Sequence, residues 1–377
     1  MEKELTVHLR EKSYPIVFEK NLFEQESFFD RCLAIAHFFV LVTQNSLIPK
    51  VAAPLIKKLK EKNIPYCLLT FPPGEKYKTR KTKEYLENQM FRYSIGRESA
   101  ILSLGGGVVS DLAGFLAATY MRSLPLIHVP TTLVGMIDAA VGGKTAVNTP
   151  YGKNTVGAFY QPKAVFIDSL FLQTLPRQEL QNGIVEMIKY ALIEDPKIFS
   201  MLEKKSGQIL SQNAFLDEMI FTCLSIKKRM VEEDEMDREV RRLLGFGHTL
   251  GHAIESSCNY RISHGMAVYL GILGESFLSM RKNLLSKKSF ERISALFTRF
   301  EIGLPPLTIS KRKVLSCLSQ DKKRTGKKAS FVLLKDIGYP QINSSGYIHE
   351  VEKELVEEMV DYVAKIMQES MQCLQRL

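Results

Sequence analysis

No stretch of this sequence reaches the ~18 uninterrupted apolar residues that a membrane-spanning helix requires, so neither a membrane span nor a membrane partner is expected. The six cysteines (Cys32, Cys67, Cys223, Cys258, Cys317 and Cys373) stand singly, without a CxxC pair. That spacing excludes a disulfide framework and reads as reduced thiols in a cytoplasmic protein. The opening MEKELTVHLREKSY carries both signs of charge ahead of any apolar run, so no secretory signal is expected. Internal repeats and low-complexity tracts are also missing, which removes solenoids and tail-like segments. Histidine is scarce, with seven in the chain, yet His248, His252 and His264 fall within GFGHTLGHAIESSCNYRISHG.

What is present is a chain of 377 residues that is 45% hydrophobic, long enough for two domains and able to build a core. The formal charge is +10, but the basic residues are split among KKLKEK, KKR, KRK and DKKRTGKK. None of these clusters is interleaved with aromatics as a single-strand groove would be, so an anionic small molecule is expected rather than nucleic acid.

The first half alternates β-rich runs (SYPIVFE, FFVLVTQ, PYCLLTF, AILSLGGG, LPLIHVP, AVFIDSL) with helical patterns (LIPKVAAPLIKKLKEKN, TRKTKEYLENQMFRYS). Alternation of this kind predicts an α/β fold with a mostly parallel sheet. Beyond about Leu170 amphipathic helices dominate, interrupted by the strand-like SFVLLKDIG. The expected boundary lies near Ser169, giving an α/β domain over 1–169, a mainly helical domain over 170–377 and a cleft between them.

Three motifs carry chemistry. In LSLGGGVVSDLAG a strand runs into Gly105-Gly106-Gly107 and then a helix, whose bare amides suit a pyrophosphate. It departs from GxGxxG, since Ser110 stands at the third glycine and the strand is the fourth, not the first. DAAVGGKTAVN resembles the end of a P-loop but has Asp138 where the first glycine belongs. It and YGKNTVGAFYQP are read as turn-rich loops whose Lys144, Lys153 and Asn154 form an anion clamp. His248 and His252, four apart, share a helical face, and spacing alone selects them as a zinc-binding pair. No glutamate completes HExxH, because Thr249 occupies that place; Glu186 in NGIVEMIKY, with Lys189 one turn on, is the candidate carboxylate.

Together with PPGEKYKT, VPTTLVGMIDAAVGGKTAVN, TLPRQELQNGIVEMIKYALI, FGHTLGHAIE, SHGMAV and DKK, these motifs make nearly the whole chain resemble the 3-dehydroquinate synthase family of sugar-phosphate cyclases. The resemblance implies a Rossmann-like NAD-binding domain followed by a mainly α-helical metal- and substrate-binding domain. It also implies a homodimer, NAD and one divalent metal, zinc or cobalt. The implied metal ligands are Glu186, His248 and His264, which moves His252 to a substrate contact. The implied NAD residues are Glu75, Lys78, Gly106, Gly107, Asp111, Thr131 and Thr132, closed by the segment from Phe171 to Thr174. Asp138, Lys144, Lys153 and Asn154 would lie where cofactor meets substrate. The substrate's phosphate, carboxylate and hydroxyls would be held by Arg122, Asp138, Lys144, Asn154, Lys189, Lys227, Arg241, His252 and one of Lys322 or Lys323. Among them Lys144, Asn154, Lys189, Lys227, Arg241 and His252 would be catalytic.

The implied substrate is a phosphorylated sugar acid, 3-deoxy-D-arabino-heptulosonate 7-phosphate, converted to 3-dehydroquinate and phosphate in the shikimate pathway. The course is transient oxidation by NAD, β-elimination of phosphate, re-reduction and intramolecular aldol closure. Other sugar-phosphate cyclases (inosose or valiolone synthases) and a metal-dependent polyol dehydrogenase are the alternatives. The chain departs from the family pattern at Ser110, Ser123, LVGMIDAA and Gly245. The family commonly has a substrate-contacting asparagine where Gly245 stands.

Overall fold

The structure is a computed structural model that describes residues 3–10, 12–208, 213–305, 307–325, 329–344 and 346–374. The chain forms two compact units, one of Met1–Leu180 with Ile220–Met236, the other of Gln181–Met219 with Asp237–Leu377.

The first unit is built on a seven-stranded sheet of order β1-β2-β9-β6-β5-β3-β4. The strands are β1 (Lys3–Val7), β2 (Tyr14–Phe18), β3 (Phe38–Gln44), β4 (Tyr66–Phe71), β5 (Ser99–Gly105), β6 (Leu126–Pro130) and β9 (Ala164–Ile167). All pairings are parallel except the β1–β2 edge. Every residue of β5, β6 and β9 is buried, as expected of central parallel strands covered on both faces. Period-two alternation divides the apolar side chains between two cores. Phe39 and Leu41 join one with Phe28 and Leu55 from α1 (Glu26–Leu33) and α2 (Ala53–Glu61). Val40 and Val42 join the other with Leu86 and Leu112 from α3 (Arg80–Arg92) and α4 (Gly107–Thr119). Thr79 caps α3 by accepting a hydrogen bond from Thr82 N at 3.2 Å.

β3 leads to β4 on one side and the chain then crosses to β5 on the other, so the strand order reverses between β3 and β5. In open α/β sheets that switch point, at the carboxyl ends of the strands, is where a ligand crevice forms. The Gly105–Gly107 turn sits there, at the end of β5. The strand read as fourth in the sequence is fifth in the structure, because β1 precedes it, and its late position is compatible with a nucleotide site, since β5 adjoins β3 in space.

The segments 144–149 and 152–159, expected as loops, instead pair as an antiparallel hairpin, β7 (Lys144–Thr149) with β8 (Gly152–Phe159). The β-branched Thr145, Val147, Thr155 and Val156 outweigh the flanking glycines. β1 is an edge strand with half-exposed residues, and no apolar run in the sequence announced it.

The second unit is mainly helical. It draws on residues 181–193 of α5 (Arg177–Ile193), then α6 (Pro196–Lys205), residues 213–219 of α7 (Asn213–Glu233), α8 (His248–Ser257), α9 (His264–Arg281), α10 (Lys287–Arg299), α11 (Lys311–Thr325) and α12 (Lys353–Leu374). The single strand expected at SFVLLKDIG is two short strands, β10 (Ser330–Val332) and β11 (Leu334–Asp336). β10 pairs with β13 (Ile348–Glu350) and β11 with β12 (Tyr339–Pro340).

Candidate functional site

In the second unit three helices converge on one carboxylate. On α5, Asn182 and Glu186 are four residues apart and so share a face. Ser263, just before α9, donates its hydroxyl to Asn182 Oδ1 at 2.9 Å. At the next-but-one position, Gly265, a side chain would collide with the Asn182 backbone, so glycine is what lets α5 and α9 approach this closely. That approach sets Glu186 one turn further along, against His264. Glu186 Oε1 lies 3.3 Å from His264 Nε2 and 3.4 Å from His248 Nε2.

The second nitrogen of each ring is also held. His248 Nδ1–H donates to Phe246 O at 3.1 Å, and His264 Nδ1 lies 3.5 Å from Glu255 Oε1. Partners of this kind orient metal-ligating imidazoles.

Glu186 is fully buried, and neither carboxylate oxygen has a hydrogen-bond partner among the described residues. Lys189 Nζ is 2.6 Å from Glu186 Oε2, an ion pair whose angle falls short of a hydrogen bond. Burial alone would raise the Glu186 carboxyl, but Lys189 and the two imidazoles outweigh it and hold it well below the ordinary carboxylate range. Burial would lower His264, yet Glu186 and Glu255 carry it up to about 9. The carboxylates thus create a local demand for positive charge, which a divalent cation meets as well as a proton does. Donor atoms of Glu186, His248 and His264 lie within 4.8 Å of one another, as do those of His252, Glu255 and His264. The first set fits a metal better, because it uses the otherwise unsatisfied Glu186 Oε1 and leaves Glu255 to orient His264. It also differs from the pair that spacing selects, since His252 is exposed and meets His264 by ring stacking at 5.9 Å between centroids.

In the first unit a polar cluster lies on residues near the glycine turn. Lys78, 4% exposed, pairs with Asp111 on α4 and donates to Asn154 Oδ1 at 2.6 Å. Burial pushes the Asp111 carboxyl up, against the pull of Lys78. Glu75 Oε1 accepts from Asn148 Nδ2 at 2.7 Å, and Asn148 Oδ1 accepts from Asn154 N at 2.9 Å. Thr131 N donates to Gly105 O at 3.1 Å, and Thr132 Oγ1 accepts from Gly135 N at 3.0 Å. The first bond ties Thr131 to Gly105 in the glycine turn, and Thr132 packs against Gly106, where a Cβ would lie 2.7 Å from Thr132 Cγ2. Asp138 forms an ion pair with the buried Lys227.

The remaining expected residues are less concentrated. Lys144 is exposed at the start of β7, and Lys153 is half-buried beside Asn154. Arg122 is exposed in a tight turn with φ of 70°. Phe171 packs into the first core with its ring 5.6 Å from that of Phe23, and Thr174 is exposed, its hydroxyl donating to Phe171 O at 3.4 Å. Arg241 is fully buried in the second unit, in the turn of residues 240–245. Lys322 and Lys323 lie on α11, but their side chains fall outside the described residues.

Two participants were not anticipated. Asn148 bridges Glu75 and Asn154, and nothing in its surroundings marks it. Glu255 was legible in principle, because GHAIE places it three residues after His252 and seven after His248, on the same helical face.

The N-terminal model of 3-dehydroquinate synthase matches residues 68–182 and the C-terminal model of the same family matches 183–324. A 3-dehydroquinate synthase of Desulforamulus reducens is 39% identical over 343 residues, covering 90% of this chain and 95% of that protein. One of Coxiella burnetii is 40% identical over 347 residues, covering 90% and 94%. Among solved structures, 2-deoxy-scyllo-inosose synthase complexed with carbaglucose-6-phosphate, NAD+ and Co2+ matches with a TM-score of 0.84 at 25% identity, covering 95% of this chain and 99% of that one. With the two family models running end to end from residue 68 to 324, the chain belongs to the 3-dehydroquinate synthase family.

Proposed function

We propose that this chain is an NAD- and metal-dependent carbon–oxygen lyase that converts 3-deoxy-D-arabino-heptulosonate 7-phosphate to 3-dehydroquinate and phosphate. The observation that carries the reading is Glu186, buried, without a hydrogen bond and flanked by two Nε2 atoms, in a chain of this family. Glu186, His248 and His264 would hold the cation. Glu75, Lys78, Gly106, Gly107, Asp111, Thr131 and Thr132 would hold NAD, with Lys144, Lys153, Phe171 and Thr174 at its margin. Bound NAD would accept and return a hydride, and a bound Zn²⁺ or Co²⁺ would polarise the oxygen at the oxidised carbon.

The protein's own groups do the rest. Lys189 offsets the charge of the buried Glu186, and Glu255 would fix which His264 nitrogen carries the proton. Arg122, Lys144, Asn154, Lys189, Lys227, Arg241 and His252 would supply donors for a phosphate, a carboxylate and hydroxyls. Asp138 holds the Lys227 ammonium in place. One of Lys322 and Lys323 is proposed to join them.

The 25% identity to an inosose synthase keeps a second reading, another cyclase with a different sugar phosphate. The relatives at 39% and 40% identity favour the first. Treating the protein with a chelator should abolish phosphate release from 3-deoxy-D-arabino-heptulosonate 7-phosphate, and Zn²⁺ or Co²⁺ should restore it. Full activity after exhaustive metal removal would refute the proposal.

A further inference from the structure

α8 begins without a cap of its own. Its N-cap residue is Gly247, in the left-handed region at φ 77°, which has no side chain with which to cap it. A Cβ at Gly247 would lie 2.6 Å from Ile272 Cγ1, so a capping side chain has no room there. The cause is the close packing of α8 on α9, where a Cβ at Gly271 would collide with Gly247 O. The helix that presents His248 and His252 therefore starts pressed against a neighbour, with its first amides unable to reach a local acceptor.

The acceptor comes from α9. Glu275 is fully buried, and its Oε2 accepts a hydrogen bond from Gly247 N at 2.9 Å. The amides of Leu250 and Thr249 also favour its charged form, though burial dominates and carries the carboxyl up to about 8. Among the described residues no cation pairs with it, and its other oxygen has no hydrogen-bond partner. It stands in a stretch of α9, residues 265–276, in which every residue is buried. An acid in such surroundings is unfavourable unless its polar atoms are engaged, and the start of α8 is what engages this one. Either protonation state leaves an oxygen free to accept from Gly247 N. Glu275 is also eleven residues, close to three turns or about 16 Å, beyond His264 on the same side of α9. One helix face thus carries a candidate ligand at one end and the anchor of the other ligand's helix at the other.

We propose that Glu275 is a positioning residue for the metal centre: its buried side-chain oxygen caps α8 from the neighbouring helix and fixes the place of His248 relative to Glu186 and His264. The inference rests on the reading of Glu186, His248 and His264 as metal ligands. His248 is the first residue of α8, so any slide or rotation of the helix start displaces it directly.

The test is zinc affinity by chelator competition on the purified full chain, read beside the melting temperature of the metal-free protein. Wild type should bind one Zn²⁺ and His248→Ala should not; if wild type binds none, the metal reading fails and not this inference. Glu275→Gln keeps an acceptor oxygen of the same shape and should hold zinc within about threefold of wild type. Glu275→Leu removes the acceptor while retaining volume and should weaken zinc by tenfold or more, the range seen when groups supporting a ligand are lost. A folded Glu275→Leu protein with wild-type zinc affinity overturns the proposal, even if its melting temperature falls. Equal losses in the Gln and Leu variants also overturn it, because a hydrogen-bond acceptor would then not be the operative feature. If Glu275→Leu does not fold, Glu275→Ala decides: weakened zinc supports the proposal and wild-type affinity overturns it.

Discussion

At the scale of single residues, the sequence was most informative where one side chain has one chemical role. Seven histidines, three of them clustered, were enough to suspect a metal site. Spacing alone chose His248 with His252, because helical periodicity reports which residues share a face but not what another helix brings to that face. Glu186 arrives from α5, 62 residues earlier than His248; the sequence offered it as a candidate carboxylate, but only the family resemblance joined it to His264 in place of His252. The first expectation follows from this geometry. His248→Ala and His264→Ala should each weaken metal binding at least tenfold more than His252→Ala, measured by metal content after dialysis; equal losses would contradict the assignment. Gly245 allows a second. A Cβ there meets nothing within 4 Å, and its backbone is not in the left-handed region. Gly245→Asn should therefore fold and keep its metal, and kcat/KM should change by less than about tenfold, upward, as expected for one hydrogen bond. A large loss of activity at normal metal content would show that the glycine itself is needed. His128 gives a third. It is buried in β6, shares a hydrogen bond of 2.6 Å with Ser103, and burial lowers its pKa from 6.5 to about 3. Between those values the unfolded chain takes up a proton that the folded chain refuses. The associated stability is fully present above about pH 6.5 and is lost as pH falls, at up to about 1.4 kcal/mol per pH unit. His128→Leu should flatten the fall in melting temperature between pH 6.5 and 4.5; an unchanged slope would contradict the burial argument.

At the scale of elements, what was legible depended on how strongly a pattern repeats. The apolar runs that become β2 to β6 and β9 were visible because strands covered on both faces are nearly continuous in hydrophobic residues. The β7–β8 hairpin was read as loop because glycine and lysine punctuate it, although its β-branched pairs decide the structure. The place of the glycine turn at the switch point was not legible either, because strand order is a non-local property. Helix approach was equally hidden: Gly265 and Gly271 look like ordinary helix glycines until the neighbouring backbone is seen. Gly265→Ala should cost on the order of 1–3 kcal/mol from overpacking and should also weaken metal binding, since it forces α5, and Glu186 with it, away from α9. Gly303→Ala is the control, as a Cβ there meets nothing within 4 Å, and it should stay within about 0.5 kcal/mol. Melting temperature and zinc content of the pair check this, and normal metal binding in Gly265→Ala would detach the helix contact from the site.

At the scale of the whole molecule, the change of pattern near Ser169 offers one linear boundary, whereas the compact units are each made of two separate stretches of chain. Residues 220–236, carrying Lys227, group with the first unit although they lie in a helix-rich part of the sequence. Net charge pointed to an anionic small molecule, and the buried or paired lysines Lys78, Lys189 and Lys227 give part of that charge a specific location. No described helix is long and apolar enough to cross a membrane. The central claim concerns the overall reaction: a redox cofactor used and restored within one turnover. Purified protein supplied with NAD, Zn²⁺ and 3-deoxy-D-arabino-heptulosonate 7-phosphate should release one phosphate per substrate consumed and yield 3-dehydroquinate, identified by NMR, while absorbance of NADH stays at baseline. Steady NADH accumulation matching product, or substrate left untouched with phosphate release only from a different sugar phosphate, would contradict it.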